Sequence, residues 1–129
     1  MSEDIDKICY PLKRIPTILG KVKRIIVLGD IHGDYDYTIE LLKIGKIINI
    51  DDGKIKWIGK DTIVVQVGDQ IDNCRPPLSD KLFCNSHVAK NDEASDIKIL
   101  ELFNELHLQA QKDGGKVISL LGNHEILNV

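Results

Sequence analysis

The sequence predicts an α/β fold built on a largely parallel sheet. Three runs rich in β-branched and aliphatic residues, 24–28, 62–67 and 116–121, alternate with two segments of helical periodicity. Alternation of that kind builds parallel sheets through helical crossovers. Each run also ends in glycine followed by an oxygen-bearing side chain: Gly29-Asp30, Gly68-Asp69 and Gly122-Asn123. The chain is 129 residues long, 43% hydrophobic and 29% charged. That is a globular balance, sized for one small domain or part of a larger one, and it excludes disorder, collagen-like repeats and a disulfide scaffold.

Residues 1–23 are mixed in character, are broken by Pro11 and Pro16, and read as an N-terminal extension. The run 24–28 does not alternate with polar residues, so it predicts a strand covered on both faces. From Asp34 to Lys46 the apolar positions Tyr35, Ile39 and Leu42 fall at helical spacing behind an acidic start. Residues 47–58 read as a hairpin turned at Asp52-Gly53. The run 62–67 is a second strand of the first kind. Residues 73–94, polar and interrupted by Pro76-Pro77, form an ordered loop or insertion. Ser95 or Asp96 then caps a helix reaching about Lys112, with Ile99, Leu102, Phe103, Leu106 and Ala110 on one face. Asp113-Gly114-Gly115 ends it, and 116–121 is the third strand.

Charge and targeting narrow the function classes. A net charge of −3 gives no basic surface for nucleic acid or an anionic membrane. No apolar run approaches the roughly 20 residues that span a bilayer, and the acidic start Met1-Ser2-Glu3-Asp4 is unlike a signal peptide. Three cysteines, Cys9, Cys74 and Cys84, without a C-x-x-C pair fit a reducing compartment, so the expected location is cytoplasmic. Neither GxxxxGK[ST] nor GxGxxG occurs, which argues against a nucleotide-binding module.

The carboxyl ends of strands in open α/β sheets face the ligand crevice. Asp30, Asp69 and Asn123 would therefore converge at one edge. Asp30-Ile31-His32 places a carboxylate and an imidazole on the same side of an extended segment, Asp72 adds a second carboxylate after Asp69, and Asn123-His124-Glu125 adds an amide, an imidazole and a carboxylate. One Gly-Asp after a strand is ordinarily a turn. Three such strand ends, two with an adjoining histidine, point to a shared metal site of Asp, Asn and His ligands, suited to Mn, Fe or Zn.

These residues carry a family resemblance. Gly29-Asp30-Ile31-His32-Gly33, Gly68-Asp69-Gln70-Ile71-Asp72-Asn73 and Gly122-Asn123-His124-Glu125 resemble the GDxHG, GDxxDR and GNHE signatures of calcineurin-like metallophosphoesterases, and best the serine/threonine phosphoprotein phosphatase branch. The resemblance covers residues 24–127. It implies the N-terminal half of a metallophosphoesterase-type α/β/β/α sandwich, and a phosphoester hydrolase acting through a water activated by two divalent metal ions. It further implies that Asp30 and His32 hold the first metal, that Asp69 bridges both and that Asn123 holds the second. His124 would be the general acid, oriented by Asp72. Glu125 is read as fixing its loop.

Two departures accompany the resemblance. The family's phosphate-clamping arginine after the second aspartate is Asn73 here, and Arg75 two residues on is the candidate replacement for substrate binding. The family's remaining metal ligands come from a C-terminal half, so the chain is expected to be an incomplete catalytic domain with an uncovered sheet open to self-association. The substrate expected is a phosphoprotein. A dinucleoside polyphosphate or other small phosphoester is the alternative, and a non-catalytic metal-binding scaffold is a third reading. Cys74 and Cys84 read first as free loop thiols; with His87 they would give three of the four ligands of a structural zinc. A Cys74–Cys84 disulfide is the other alternative.

Overall fold

A computed structural model of the chain describes residues 18–72 and 94–127. The described elements are β1 (Ile25–Leu28), α1 (Tyr35–Ile44), β2 (Ile48–Asp51), β3 (Lys54–Trp57), β4 (Ile63–Gln66), α2 (Asp96–Gln111), β5 (Lys116–Ser119) and α3 (Asn123–Leu127). The three apolar runs form one parallel sheet in the order β1-β4-β5, in which Val27 stands opposite Val65 and Val65 opposite Ile118. Two crossovers join the parallel strands, one through α1 and the hairpin, the other through α2.

Local chemistry sets the element ends. Asp34 caps α1, its Oδ1 accepting the Tyr37 N–H at 2.8 Å. Asp52 and Gly53 both adopt left-handed φ, +48° and +72°, the pair a two-residue hairpin turn requires. Ser95 is the N-cap of α2 but makes no capping bond with its side chain; its Oγ donates instead to the Gly33 carbonyl at 2.7 Å. The five-residue α3 lies where the sequence predicts only the glycine turn after the third strand. A helix so short has no periodicity to read.

The core lies between the sheet and the two long helices. It takes Leu28, Val64 and Val117 from the strands, Ile39 and Leu42 from α1, and Ile99, Leu102, Phe103, Leu106 and Ala110 from α2. The α2 face is the one its periodicity predicts. Trp57 of the hairpin joins this core, and Gln109 of α2 fixes it there: its Oε1 accepts the Trp57 N–H at 2.8 Å and its Nε2 donates to the Ile55 carbonyl at 3.3 Å. The expectation that β1 is covered on both faces is not met. Ile25 and Val27 are 53% and 62% exposed, because both helices pack on the opposite face of the sheet.

Candidate metal centre

Parallel pairing brings the carboxyl ends of β1, β4 and β5 to one edge, and there the three glycine motifs meet. The Asp69 carbonyl accepts the N–H groups of Ile31 and His32, both at 2.9 Å, and the Gln70 carbonyl accepts from Gly33 at 2.8 Å. The Asp69 side chain accepts the His124 N–H at 3.0 Å. The middle motif is thus bonded to both neighbours through one residue.

His32, Asp69 and His124 bring donor atoms within 4.8 Å of one another. His32 Nε2 lies 3.7 Å from Asp30 Oδ2, and the His32 and His124 rings meet edge to face with centroids 4.7 Å apart. His32 Nδ1 is 3.3 Å from the Asp72 carbonyl oxygen. A backbone acceptor on Nδ1 puts the proton there and leaves Nε2 toward the cluster. His124 Nδ1 lies 2.9 Å from Asp72 Oδ2, which fixes the orientation of the ring. Asn123 opens α3 beside this group. Imidazole nitrogens, carboxylate oxygens and a nearby amide fit Mn, Fe or Zn by donor type.

The backbone is held in an unusual state. His32, Asp69 and Asp72 have φ of +49°, +54° and +71°, a left-handed region in which His and Asp are tolerated better than most residues. The segment at His32 is consequently a turn, not the extended chain expected from sequence, and it still presents Asp30 and His32 to each other. Gly122 allows the closest approach. A Cβ there would overlap the Asp69 carboxylate and come within 2.5 Å of its backbone nitrogen.

Three supporting side chains were not singled out from sequence as site residues. Gln66, wholly buried, donates from Nε2 to the Gly29 carbonyl at 3.1 Å and the Gly68 carbonyl at 2.6 Å, while its Oε1 accepts the Gly68 N–H at 2.8 Å. It therefore locks the first strand end to the second. An amide inside a β-branched run was the available signal. Ser95 ties α2 to Gly33, and Asp96 accepts the Asp72 N–H at 3.2 Å. Glu125 does fix its loop. Its carboxylate accepts N–H groups from Gly122 at 2.6 Å, Asp69 at 2.8 Å, Gln70 at 2.6 Å and Ile71 at 3.3 Å. Burial pushes this carboxyl upward, but the four donors, Gly122 first, outweigh it and hold it below the ordinary glutamate value of 4.5.

His107 belongs to the scaffold, with Nδ1 2.8 Å from the Val117 carbonyl oxygen. Asn73, Arg75, Cys74, Cys84 and His87 lie outside the described residues, as do Cys9 and most of the N-terminal extension and the 73–94 insertion. Among the described residues, no helix is long and apolar enough to cross a membrane.

A family profile described as calcineurin-like phosphoesterase matches residues 23–128. Shewanella-like protein phosphatase 2 of Arabidopsis thaliana is 32% identical over 115 residues, which are 89% of this chain and 24% of that protein. Shewanella-like protein phosphatase 1 of Plasmodium berghei is 32% identical over 108 residues, 82% of this chain and 23% of that protein. Among solved structures, the cold-active protein-tyrosine phosphatase of a psychrophilic Shewanella species superposes with a TM-score of 0.58 at 31% identity, covering 81% of this chain and 25% of that one. The chain spans about a quarter of the length of these relatives.

Proposed function

Because the chain belongs to the calcineurin-like phosphoesterase family, we propose that its three strand ends form the metal-binding and proton-donating part of a phosphoprotein phosphatase. The observation that carries this reading is the convergence of His32, Asp69 and His124 with Asp72 behind His124. Asp30, His32, Asp69 and Asn123 would hold two divalent ions. When bound, such a pair supplies a water acidic enough to attack phosphorus at neutral pH and neutralises the phosphoryl oxygens. Four protein groups are fewer than two ions take, so the rest of the coordination would come from water, substrate oxygens or further residues of the protein.

The chain's own contribution to the chemistry is proton delivery. His124 donates a proton from the ring nitrogen remote from Asp72 to the departing oxygen, and Asp72 orients the ring. Phosphoserine and phosphothreonine side chains are the substrates this arrangement suits, because an alkoxide needs that proton. The solved neighbour described as a protein-tyrosine phosphatase favours phosphotyrosine as a second reading. Asn73 and Arg75 are the proposed contacts to the phosphate. The proposed location is cytoplasmic.

Asp69→Asn tests the reading. It should abolish both Mn²⁺ binding by calorimetry and hydrolysis of phosphopeptides, since it removes a shared ligand. Unchanged binding and turnover would remove the two-metal assignment. A panel of phosphoseryl, phosphothreonyl and phosphotyrosyl peptides beside a diadenosine polyphosphate then separates the substrate classes.

A further inference from the structure

The glutamate of the third motif has no direct place in the chemistry proposed above, yet it is nine-tenths buried at the centre of the site. Its two carboxylate oxygens accept four backbone N–H groups, from three consecutive residues of one strand end (Asp69, Gln70, Ile71) and from Gly122 of the other. Successive N–H groups aimed at one anion form a nest, normally a place for a bound phosphate or carboxylate ligand. Here the ligand is built into the chain. The nest belongs to the residue that holds φ at +54° and offers a carboxylate to the cluster, Asp69.

Among the described residues, Glu125 alone accepts the N–H groups of Asp69, Gln70 and Ile71. The Asp69 carbonyl is bonded to Ile31 and His32, and its Oδ1 to the His124 N–H. Its N–H goes to Glu125. We infer that Glu125 is a positioning residue for the metal centre: its carboxylate holds Asp69 in the left-handed conformation that aims the Asp69 side chain, and sets the spacing between Asp69 and the α3 start that carries Asn123 and His124. This rests on the proposed metal site. It deepens that proposal by naming what sets its geometry.

Glu125→Gln provides the test in the intact protein. The carboxamide is nearly isosteric, but its NH₂ faces N–H donors, so at least one of the two strand ends loses its acceptor. The expected result is a variant with wild-type circular dichroism and a cooperative thermal transition, whose Mn²⁺ affinity is weakened about 10- to 100-fold, the range typical for residues that orient metal ligands. Amide exchange at Asp69, Gln70 and Gly122 should quicken. Glu125→Asp, which keeps the charge but is one methylene short, should fall between the two. Mn²⁺ affinity within twofold of wild type in a folded Glu125→Gln protein would overturn the inference. If Glu125→Gln does not fold, Glu125→Asp decides on the same affinity measurement. A wild-type protein that binds no Mn²⁺ would overturn the metal site itself, and the inference with it.

Discussion

His124 sets its Nδ1 2.9 Å from the Asp72 carboxylate and stands with His32 and Asp69 in one group of candidate ligands. The placement suits a proton donor, and it would also suit a metal ligand. The two roles differ in what a substitution does. As a general acid, His124→Asn keeps Mn²⁺ affinity and lowers turnover by roughly 10²-fold or more on alkyl phosphates. Its effect on p-nitrophenyl phosphate should be much smaller, because that oxygen leaves without a proton. A series of leaving groups, read as kcat against leaving-group pKa, checks this; an equal loss across the series together with weakened Mn²⁺ binding would assign His124 to the metal instead. The identities of these residues were legible in the sequence because three motifs repeat one pattern. Their backbone state was not. Left-handed φ at His32, Asp69 and Asp72 arises from hydrogen bonds between motifs 37 and more residues apart, such as Ile31 to Asp69 and Asp69 to Glu125, and single-strand patterning carries no trace of them.

Among the elements, α2 was the most legible, because 16 residues give the 3.6-residue period room to show itself. All five positions assigned to its apolar face are buried. Leu106 is fully buried between helix and sheet, whereas Leu108, two positions on, is 56% exposed. Truncating the first leaves a cavity in the core and truncating the second does not. Leu106→Ala should therefore lower stability by about 2–5 kcal/mol, and Leu108→Ala by less than about 1 kcal/mol. Urea denaturation of both variants measures the difference; similar midpoints would contradict the packing described. The docking of the hairpin was hidden for a different reason. The turn was written in Asp52-Gly53, but the surface it packs against is chosen by Gln109, a polar residue that periodicity places at the margin of the α2 face. Pattern separates inside from outside, and it says little about which partner a boundary side chain will find.

At the scale of the whole molecule, the same sheet that gathers the metal site at its carboxyl edge leaves its β1 side chains Ile25 and Val27 exposed on one face. Ile25 and Val27 lie on β1, which is an edge strand of the described sheet, and Val27 shares a row with Val65 and Ile118, both half-buried. An unalternating apolar run predicts cover on both faces, and the described residues supply it on one. An exposed apolar edge strand is a template for another chain, and a net charge of only −3 offers little electrostatic repulsion against association. The 129-residue chain should therefore associate as its concentration rises, its weight-average mass climbing above 14.5 kDa in sedimentation equilibrium. Val27→Lys places a charge at the edge-strand end of the row, at a position exposed enough to accept it without disturbing the core. It should return the mass to that of the monomer while leaving the thermal transition nearly in place. A wild-type chain that stays monomeric at high concentration would show that this face, though apolar and open, does not drive association by itself.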